Sequence, residues 1–250
     1  MKNLNHLDNK VALITGAARR IGAEIARQLH AAGADVVIHY RSSSAEADEL
    51  ANSLNEQRPD SARTLAGDLL DTASIAPLVK AAVDWHGRLD ILINNASSFY
   101  PTPVGSIDED NWRDLIGSNF KAPLFLSQAA AAHLAKNNGA IVNIVDIHSL
   151  RPLRDHVVYG SAKAALAMTT RSLAKDLAPD IRVNGVSPGA ILWPEDGMTD
   201  AAQTAILEQI PLRRTGNPAD IAGCVLYLVR DAHYVTGQII AVDGGRSLGW

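Results

Sequence analysis

Short apolar segments without polar alternation recur along the whole chain, and they constrain its fold more than any other feature. Strands that are buried on both faces of a sheet have this pattern, because neither face is exposed to water. Six segments are rich in valine and isoleucine and a seventh is weaker: KVALIT (10–15), DVVIHY (35–40), LDILINN (89–95), AIVNIV (140–145), IRVNGV (181–186), QIIAVD (238–243) and the weaker ARTLAGD (62–68).

Segments of helical period separate these strands. Strict alternation of strand and helix predicts βαβ units, which give a parallel sheet with helices on both faces. The fold class is therefore predicted to be α/β, a doubly wound parallel sheet of about seven strands. The predicted helices cover residues 20–32, 43–57, 72–86, 109–136, 157–177 and 217–230.

The 250 residues are predicted to form a single domain, 1–250, because α/β folds of this length are often one unit. Residues 1–9 are predicted to be an N-terminal tail. The least regular part of the chain is 187–216. Because a loop this long in a compact domain is usually functional, we predict that it is a lid over the substrate.

Charge and composition exclude several classes of protein. The net charge is −4 and no basic stripe is present, so nucleic acid is not expected as a partner. The single cysteine, Cys224, excludes a disulfide framework and favours a reducing compartment. The chain has neither a membrane-spanning apolar run nor a signal-peptide core, which predicts a cytoplasmic protein without membrane contact. The histidines lack metal-ligand spacing, so no metal is expected.

The segment TGAARRIG follows the first predicted strand and opens the first predicted helix. Gly16 permits a tight turn, the two alanines after it let the backbone approach a phosphate, and Gly22 lets the helix pack against the strand. The free N–H groups at the start of the helix would bind the anion. Within a chain of βαβ units this turn predicts dinucleotide binding. The guanidinium of Arg20 is expected to contact either the pyrophosphate or the substrate.

The end of the second strand predicts which dinucleotide is bound. A site for NAD places an acid there to bind the ribose hydroxyls, whereas no acid occurs from Val36 to Ser44. Arg41, Ser42 and Ser43 instead supply a cation and hydroxyls for a 2′-phosphate, unless Arg41 is only a solvated loop charge. NADPH is therefore the expected cofactor. Asp68, just past the third strand, is expected to accept a hydrogen bond from the adenine amino group.

Tyr159 and Lys163 stand at i and i+4 near the start of a predicted helix, so they share one face. A lysine at this spacing is expected to lower the pKa of the phenol from its ordinary value of about 10. The phenol would then be a usable proton donor near neutral pH. A packed tyrosine beside a snorkelling lysine has the same spacing, so the pair alone does not establish a site.

Several motifs together resemble the short-chain dehydrogenase/reductase family over nearly the whole chain: TGAARRIG, NNAS, YGSAK, RVNGVSPGA and the closing VDGG. The resemblance implies a Rossmann-type domain in which Tyr159 is the proton donor. It implies that Lys163 binds the nicotinamide ribose and tunes the phenol, while Asn119 holds a water in a proton relay. It also implies that Pro188 and Gly189 line the nicotinamide pocket.

Most members of that family carry a serine thirteen residues before the tyrosine, which donates a hydrogen bond to a substrate carbonyl, but this chain has Asp146. An ionised carboxylate cannot donate, and it repels the oxyanion that forms when a carbonyl accepts hydride. A ring imine reverses the argument, because the nitrogen of a reduced C=N bond needs a proton that a carboxyl group helps to deliver. Close coupling of Asp146 to Tyr159 also predicts shared titration steps.

The chain also resembles the pteridine reductase branch of the family, through TGAARRIG, HYRSS, NNASSFYPTP and the set Asp146, Tyr159 and Lys163. This implies NADPH-dependent reduction of dihydropterins to tetrahydropterins by a homotetramer, with dihydrofolate and oxidised pterins as further candidate substrates. Ser97 offers a hydroxyl beside the cofactor. Phe99 offers a flat face for a heteroaromatic ring, unless its side chain is buried in the core under a loop. Trp193 either contacts the substrate or pins the lid to the core.

Three overlapping sets of residues are therefore predicted to form the site. The catalytic residues are Asn119, Asp146, Tyr159 and Lys163. The cofactor-binding residues are Gly16, Arg20, Ile21, Gly22, Tyr40, Arg41, Ser42, Ser43, Asp68, Leu69, Asn95, Ala96, Ser97, Tyr159, Lys163, Pro188 and Gly189. The substrate-binding residues are Arg20, Ser97, Phe99, Asp146, Tyr159 and Trp193.

Two other functions are consistent with the same residues. The first is reduction of an ordinary ketone, or oxidation of an alcohol, with Asp146 protonated so that it donates the hydrogen bond. The second is a regulatory protein that binds NADPH without turning over a substrate. The predicted proton donor argues against this second function, because binding alone does not require one.

Overall fold

The computed structural model describes residues 7–193 and 197–249, and a single seven-stranded parallel sheet forms the centre of this part of the chain. Its order is β3-β2-β1-β4-β5-β6-β7. The predicted doubly wound α/β fold is therefore confirmed. The strands are β1 (Val11–Ile14), β2 (Asp35–Tyr40), β3 (Ala62–Ala66), β4 (Ile91–Asn94), β5 (Ala140–Ile144), β6 (Arg182–Pro188) and β7 (Ile239–Val242).

The helices begin and end close to the predicted positions, except that the segment predicted as 109–136 is divided. Its two helices, α4 and α5, are joined by a π-helical segment, Gly117–Lys121. Two short 3-10 turns lie at Ile147–Ser149 and Arg246–Leu248. The helices are α1 (Arg20–Ala31), α2 (Ser44–Gln57), α3 (Thr72–His86), α4 (Glu109–Ile116), α5 (Ala122–Ala135), α6 (Val157–Asp176), α7 (Asp200–Glu208) and α8 (Pro218–Arg230).

Successive strand residues belong to two different apolar clusters, one on each face of the sheet. In β1, Ala12 and Ile14 pack with residues of α1, α2 and α8. Val11 and Leu13 pack with residues of α3, α5 and α6 on the other face. All four side chains are buried, which explains why the strand sequences show no polar alternation. The packing also fixes the register, because a shift by one residue would exchange the two faces.

The segment predicted as a long irregular loop, 187–216, contains more regular structure than its sequence suggests. Strand β6 extends to Pro188, and α7 occupies Asp200–Glu208. Thr199 caps this helix, since its hydroxyl accepts a hydrogen bond of 3.3 Å from the N–H of Ala202. Residues 194–196 of the predicted lid lie outside the described residues.

The predicted tail, 1–9, is described only from residue 7 onward, and residues 1–6 lie outside the described residues. Leu7 is buried, and its N–H donates to the carbonyl of Ala32 at 2.8 Å. The chain therefore packs against the end of α1 before β1 begins. Within the described ranges, no helix is both long enough and apolar enough to span a bilayer.

Candidate active site

A cavity of about 930 Å³ opens at the carboxyl ends of the strands, where the sheet order reverses between β1 and β4. Ligands of open α/β sheets bind at such a position. Every predicted cofactor-binding and substrate-binding residue lines this cavity. Three of the four predicted catalytic residues line it as well, and Asn119 is buried behind its wall.

The turn after β1 packs so tightly that it excludes larger side chains. Gly16 has a φ of +60°, and a Cβ there would lie 2.9 Å from the Cα of Ala96. A Cβ on Gly22 would overlap the carbonyl oxygen of Gly16. Asn95 holds the turn from the other side, donating to the carbonyls of Thr15 and Gly16 at 2.9 and 3.0 Å. The turn therefore brings the start of α1, whose first backbone N–H groups suit an anion, to the wall of the cavity.

Arg20 occupies a backbone conformation that favours glycine. Its φ is +55°, in the left-handed region. This conformation costs a residue with a Cβ roughly 1–2 kcal/mol. The side chain is exposed and lines the cavity. A strained residue at a ligand-binding turn indicates a functional reason for the guanidinium.

His39 connects the turn to the end of β3, a role that sequence reasoning did not assign. Its Nδ1 accepts a hydrogen bond of 3.2 Å from the N–H of Gly16, so the proton is on Nε2, which donates to the carbonyl of Gly67 at 3.1 Å. Burial lowers the pKa of His39 to about 4. The ring is therefore neutral at physiological pH and holds three strand ends together.

The cavity end beside β2 has several polar side chains. Arg41, Ser42 and Ser43 line it as predicted, and Arg41 and Ser42 are exposed. Arg19 also lines this region, and its guanidinium lies 3.9 Å from the carboxylate of Glu46. Such an exposed pair contributes little to stability, so the cation stays available to an anionic ligand. The other residues predicted at this end, Tyr40, Asp68 and Leu69, line the cavity too.

Asp146 follows β5 and has both carboxylate oxygens in hydrogen bonds. Oδ1 accepts from the backbone N–H of His148 at 2.8 Å, which caps the short 3-10 turn. Oδ2 accepts from the hydroxyl of Tyr159 at 2.8 Å. The cap fixes the carboxylate so that it faces the phenol. The two predicted catalytic residues are therefore in direct contact.

The pKa of Tyr159 is raised well above its ordinary value, first by burial and then by the negative charge and hydrogen bond of Asp146. The prediction that Lys163 lowers this pKa is wrong. The ammonium of Lys163 donates to the carbonyl of Ile144 at 2.9 Å and lies 5.7 Å from the centroid of the phenol ring. Burial lowers the pKa of Lys163 itself to about 8, and Asp146 opposes this shift. Burial and the carboxylate of Asp146, rather than the ammonium of Lys163, therefore set the direction of the Tyr159 pKa.

Asn119 lies in the π-helical segment between α4 and α5 and is completely buried. Its Nδ2 donates to the carbonyls of Ser98 and Leu115 at 2.9 and 3.0 Å. Its Oδ1 has no hydrogen-bond partner among the described residues. A buried acceptor without a partner is rare, and π-helical segments are frequent at functional sites. This acceptor fits the predicted role of holding a water.

Phe99 is half-exposed, with 53% of its surface accessible, so its side chain is not buried in the core. Its ring stacks on His156 with centroids 4.7 Å apart and meets Tyr159 edge-on at 4.8 Å. Tyr159, in the first turn of α6, and His156, the residue before that helix, thus hold the ring in place. The ring offers an aromatic surface at the wall of the cavity.

Several residues of the cavity wall were missed by sequence reasoning. They come from segments that are distant in the sequence, so no local motif marks them. Trp193, in the predicted lid, lines the cavity as expected, and α7 adds a lining residue, Ile206. The missed residues include His148, Leu153, His156, Leu192, Met198, Ile206 and Arg246.

The described residues fit a nicotinamide dinucleotide. The glycine turn presents backbone donors to a pyrophosphate, the far end of the cavity presents arginines and serines, and a buried tyrosine and lysine lie at the near end. Within those residues no group of three or more His, Cys, Asp or Glu side chains is placed to hold a metal ion.

Comparison with known proteins agrees with this arrangement. A short-chain dehydrogenase family model described as "Enoyl-(Acyl carrier protein) reductase" matches residues 16–247. "Pteridine reductase 1" of Leishmania tarentolae is 40% identical, with 95% of this chain and 96% of that protein covered. A 3-oxoacyl-(acyl-carrier-protein) reductase of Staphylococcus aureus is 34% identical, with 94% of this chain and 97% of that protein covered.

Proposed function

The chain belongs to the short-chain dehydrogenase/reductase family and is an oxidoreductase, and from this premise we propose that it is an NADPH-dependent pteridine reductase. Its substrates would be dihydropterins of the dihydrobiopterin or dihydromonapterin type, with dihydrofolate and fully oxidised pterins as further candidates. The product would be the tetrahydropterin. The reaction adds hydride to the carbon of a ring C=N bond and a proton to the nitrogen.

The hydrogen bond between Asp146 and Tyr159 is the observation that carries this proposal. Asp146 accepts from the phenol and from the N–H of His148, so its carboxylate acts as an acceptor at this position. A negative charge here opposes the developing oxyanion of a ketone. The same charge favours a protonated ring nitrogen, and a protonated imine is the better hydride acceptor.

NADPH, when bound, supplies the hydride. The residues of the chain supply the proton and the orientation. Burial, and then the charge and hydrogen bond of Asp146, raise the pKa of Tyr159, so the phenol keeps its proton until the substrate takes it. We propose that this pair delivers the proton to the ring nitrogen. Lys163 would bind the nicotinamide ribose, and Asn119 would hold a water that reloads the pair.

The aromatic wall supports a flat heteroaromatic substrate. Phe99 is fixed by His156 and Tyr159 and is exposed to the cavity. A planar ring would stack there, with its reacting edge toward Asp146. Ser97 and Arg20 would supply polar contacts to the ring, and Trp193 would approach from the lid. Among planar substrates we propose a pterin, because the chain is similar to the relative named "Pteridine reductase 1".

For cofactor choice, Arg41 and Ser42 support NADPH, since they line the cavity beside β2 and could bind a 2′-phosphate. The lid role of 187–216 and a homotetrameric state are part of the same proposal. Light scattering coupled to gel filtration measures the subunit number directly.

Carbonyl reduction is the second candidate, because the Staphylococcus aureus relative carries the name of a 3-oxoacyl-(acyl-carrier-protein) reductase. It requires Asp146 to be protonated so that it can donate to a carbonyl oxygen. The contacts of Asp146 oppose this, because both oxygens already accept hydrogen bonds.

Oxidation of NADPH, followed with a panel of substrates, tests the proposal. The panel is dihydrobiopterin, dihydromonapterin, dihydrofolate, biopterin and a 3-oxoacyl thioester, each with NADPH and with NADH. We expect turnover with at least one dihydropterin and a preference for NADPH. Turnover of the thioester without turnover of any pterin would overturn the proposal and favour carbonyl reduction.

A further inference from the structure

The aromatic wall of the cavity is carried by a segment without regular secondary structure. Residues 95–101 follow β4, and Ser97, Ser98 and Phe99 of this segment line the cavity. Such a segment has no strand ladder or helical turn to fix its backbone, so its position depends on bonds to other elements. The elements that hold it therefore determine where Phe99 lies.

Ser98 attaches this segment to the end of α4 and to the π-helical segment after it. Its hydroxyl donates to Oδ1 of Asp114 at 3.1 Å. Its backbone N–H donates to the hydroxyl of Ser118 at 3.3 Å, and its carbonyl accepts from Nδ2 of Asn119 at 2.9 Å. Asp114 and Ser118 are one helical turn apart, so they face Ser98 together. The hydroxyl, N–H and carbonyl of Ser98 thus all bond to the same support.

Helix α4 is itself firmly held, so it is a rigid support. At its start, Asp108 and Asn111 form a capping box, in which the side chain of Asp108 accepts from the N–H of Asn111 at 2.8 Å. Toward its end, Leu115 is completely buried and packs with Val158 and Tyr159 of α6. The position of α4 is therefore fixed relative to the catalytic tyrosine.

The other end of the wall is attached to the segment before α6. The N–H of Thr102 donates to the carbonyl of Asp155 at 2.5 Å, and Thr102 forms an isolated parallel bridge with His156. Phe99 lies between the attachments at Ser98 and Thr102, and its ring stacks on His156. Because the ring is half-exposed, these attachments hold it in place rather than burial in the core.

The bond from Ser98 to Asp114 acts on the wall of the cavity from behind. Asp114 is not one of the residues that line the cavity. Its bond to Ser98 is of a strong kind, because a hydrogen bond to a carboxylate is stronger than one between neutral groups. Asn119 also donates to the carbonyl of Leu115 at 3.0 Å, so it remains held when the contact of Asp114 with Ser98 is lost.

We propose that Asp114 is a positioning residue for the substrate, which through Ser98 fixes the segment that presents Phe99 to a planar ring. The proposal rests on the proposed function, since it takes a flat heteroaromatic substrate to stack on Phe99. A fixed ring binds the substrate without a cost of ordering, whereas a mobile ring must be ordered during binding. Asp114 thus affects the affinity for the substrate without touching it.

Substitution of Asp114 should separate substrate binding from the other steps. In Asp114→Ala, KM for dihydrobiopterin, or for whichever panel substrate the parent reduces, should rise by about 3- to 10-fold. KM for NADPH and kcat should stay within about twofold and threefold of the parent. Asp114→Asn keeps an oxygen that accepts from Ser98, so its KM for the substrate should return to within about twofold of the parent.

The effect should also be traceable to the bond with Ser98. Ser98→Ala removes the same bond and should raise KM for the substrate by a similar factor. The double variant with Asp114→Ala should raise it no further than either single variant. Asp110→Ala is the matched control, because Asp110 is an exposed acid of the same helix outside the cavity.

Three kinetic results would overturn the proposal. The first is an unchanged KM for the substrate in Asp114→Ala. The second is an equal rise in KM for NADPH and for the substrate, which would show a general loosening of the fold. The third is a double variant in which the two single effects multiply.

Hydrogen exchange of the protein without ligands provides a readout that does not depend on turnover. Peptides that cover residues 96–103 should exchange at least about threefold faster in Asp114→Ala than in the parent or in Asp110→Ala. Peptides that cover β4 and β5 should be unchanged. Equal exchange of residues 96–103 in Asp114→Ala and the parent would contradict the role of Asp114, whatever the substrate panel shows. Failure of the pterin assay alone would reject only the proposed function.

Discussion

The carboxylate of Asp146 accepts a hydrogen bond of 2.8 Å from the hydroxyl of Tyr159. The two residues come from the end of β5 and the first turn of α6, and both line the cavity. The contact joins an acid to the predicted proton donor and, after burial, contributes to the raised pKa of Tyr159.

Removal of the phenol hydroxyl should abolish proton delivery without disturbing cofactor binding. In Tyr159→Phe, kcat should fall by about 10²–10⁴-fold, as expected for loss of a general acid. The dissociation constant for NADPH, measured by fluorescence titration, should change by less than about threefold. If turnover persisted in Tyr159→Phe, the phenol would not be the proton donor. An unchanged biological activity without turnover would favour the regulatory function.

Arg20 combines backbone strain with a functional side chain, and substitution should separate the two. Arg20→Gly should raise the free energy of unfolding by up to about 1 kcal/mol, because relief of the left-handed strain exceeds the entropy of glycine. It should also raise KM for NADPH or for the pterin. Arg20→Ala is the control, since it removes the guanidinium but keeps the strain. Equal unfolding free energies for the two variants would show that φ at this position carries no strain.

Arg41 should determine the preference for the phosphorylated cofactor. In Arg41→Ala, KM for NADPH should rise by about 10- to 100-fold, because a charge-assisted hydrogen bond to the 2′-phosphate is lost. KM for NADH should stay within about twofold. Steady-state kinetics with both cofactors measure this, and Arg27→Ala is the control for loss of an exposed arginine. An equal rise in KM for both cofactors would show that Arg41 does not contact the 2′-phosphate.

His39 should make the fold sensitive to acid. Its pKa is lowered to about 4 by burial, whereas an unfolded chain has the ordinary value of about 6.5. Between these values the unfolded state binds the extra proton, so stability falls as the pH falls from 6.5 to 4. The loss should reach about 3 kcal/mol at most.

Urea unfolding at a series of pH values measures this loss. His39→Gln should be less stable than the parent at pH 7 and should show a weaker decline between pH 6.5 and 4. His233→Gln is the control, because His233 is exposed. A decline of the same size in His39→Gln and in the parent would assign the acid sensitivity to other groups.

Most of the fold was predictable because the signals are local. The sequence predicts β2 and α3 at the bounds that the structure has. The side chain of Asp71 caps α3 by accepting from the N–H of Ala73, and Gly87 ends the helix with a φ of +71°. The five inner strands were recognisable because both faces of the sheet are covered there, whereas the edge strands β3 and β7 are only partly buried.

Two features of the fold were not predictable for physical reasons. The π-helical segment Gly117–Lys121 lies within a stretch predicted as one continuous helix, and the sequence pattern does not reveal its different hydrogen bonds. Helix α7 is short and buries none of its residues, so it lacks the core-facing residues that mark the other helices.

The site was predictable where motifs are contiguous and not where the fold brings distant segments together. The glycine turn and the pair Tyr159 and Lys163 were found from spacing. Arg246 lies 100 residues after Asp146 in the sequence, and only the packing of the C-terminal turn brings it to the cavity. The error over the pKa of Tyr159 has the same origin, because spacing along α6 says nothing about the contact with Asp146.

The measurement that tests the central claim most directly is the effect of Asp146→Ser on substrate choice. The quantity is the ratio of kcat/KM for dihydrobiopterin to kcat/KM for a 3-oxoacyl thioester, determined for the parent and the variant with NADPH. Tyr159→Phe serves as the control, because it should lower both values together. We predict that Asp146→Ser lowers the ratio by at least about 100-fold, since a hydroxyl donates to a carbonyl and no longer favours a protonated imine. A ratio that is unchanged or higher in Asp146→Ser would contradict the role of the carboxylate in selecting a C=N substrate.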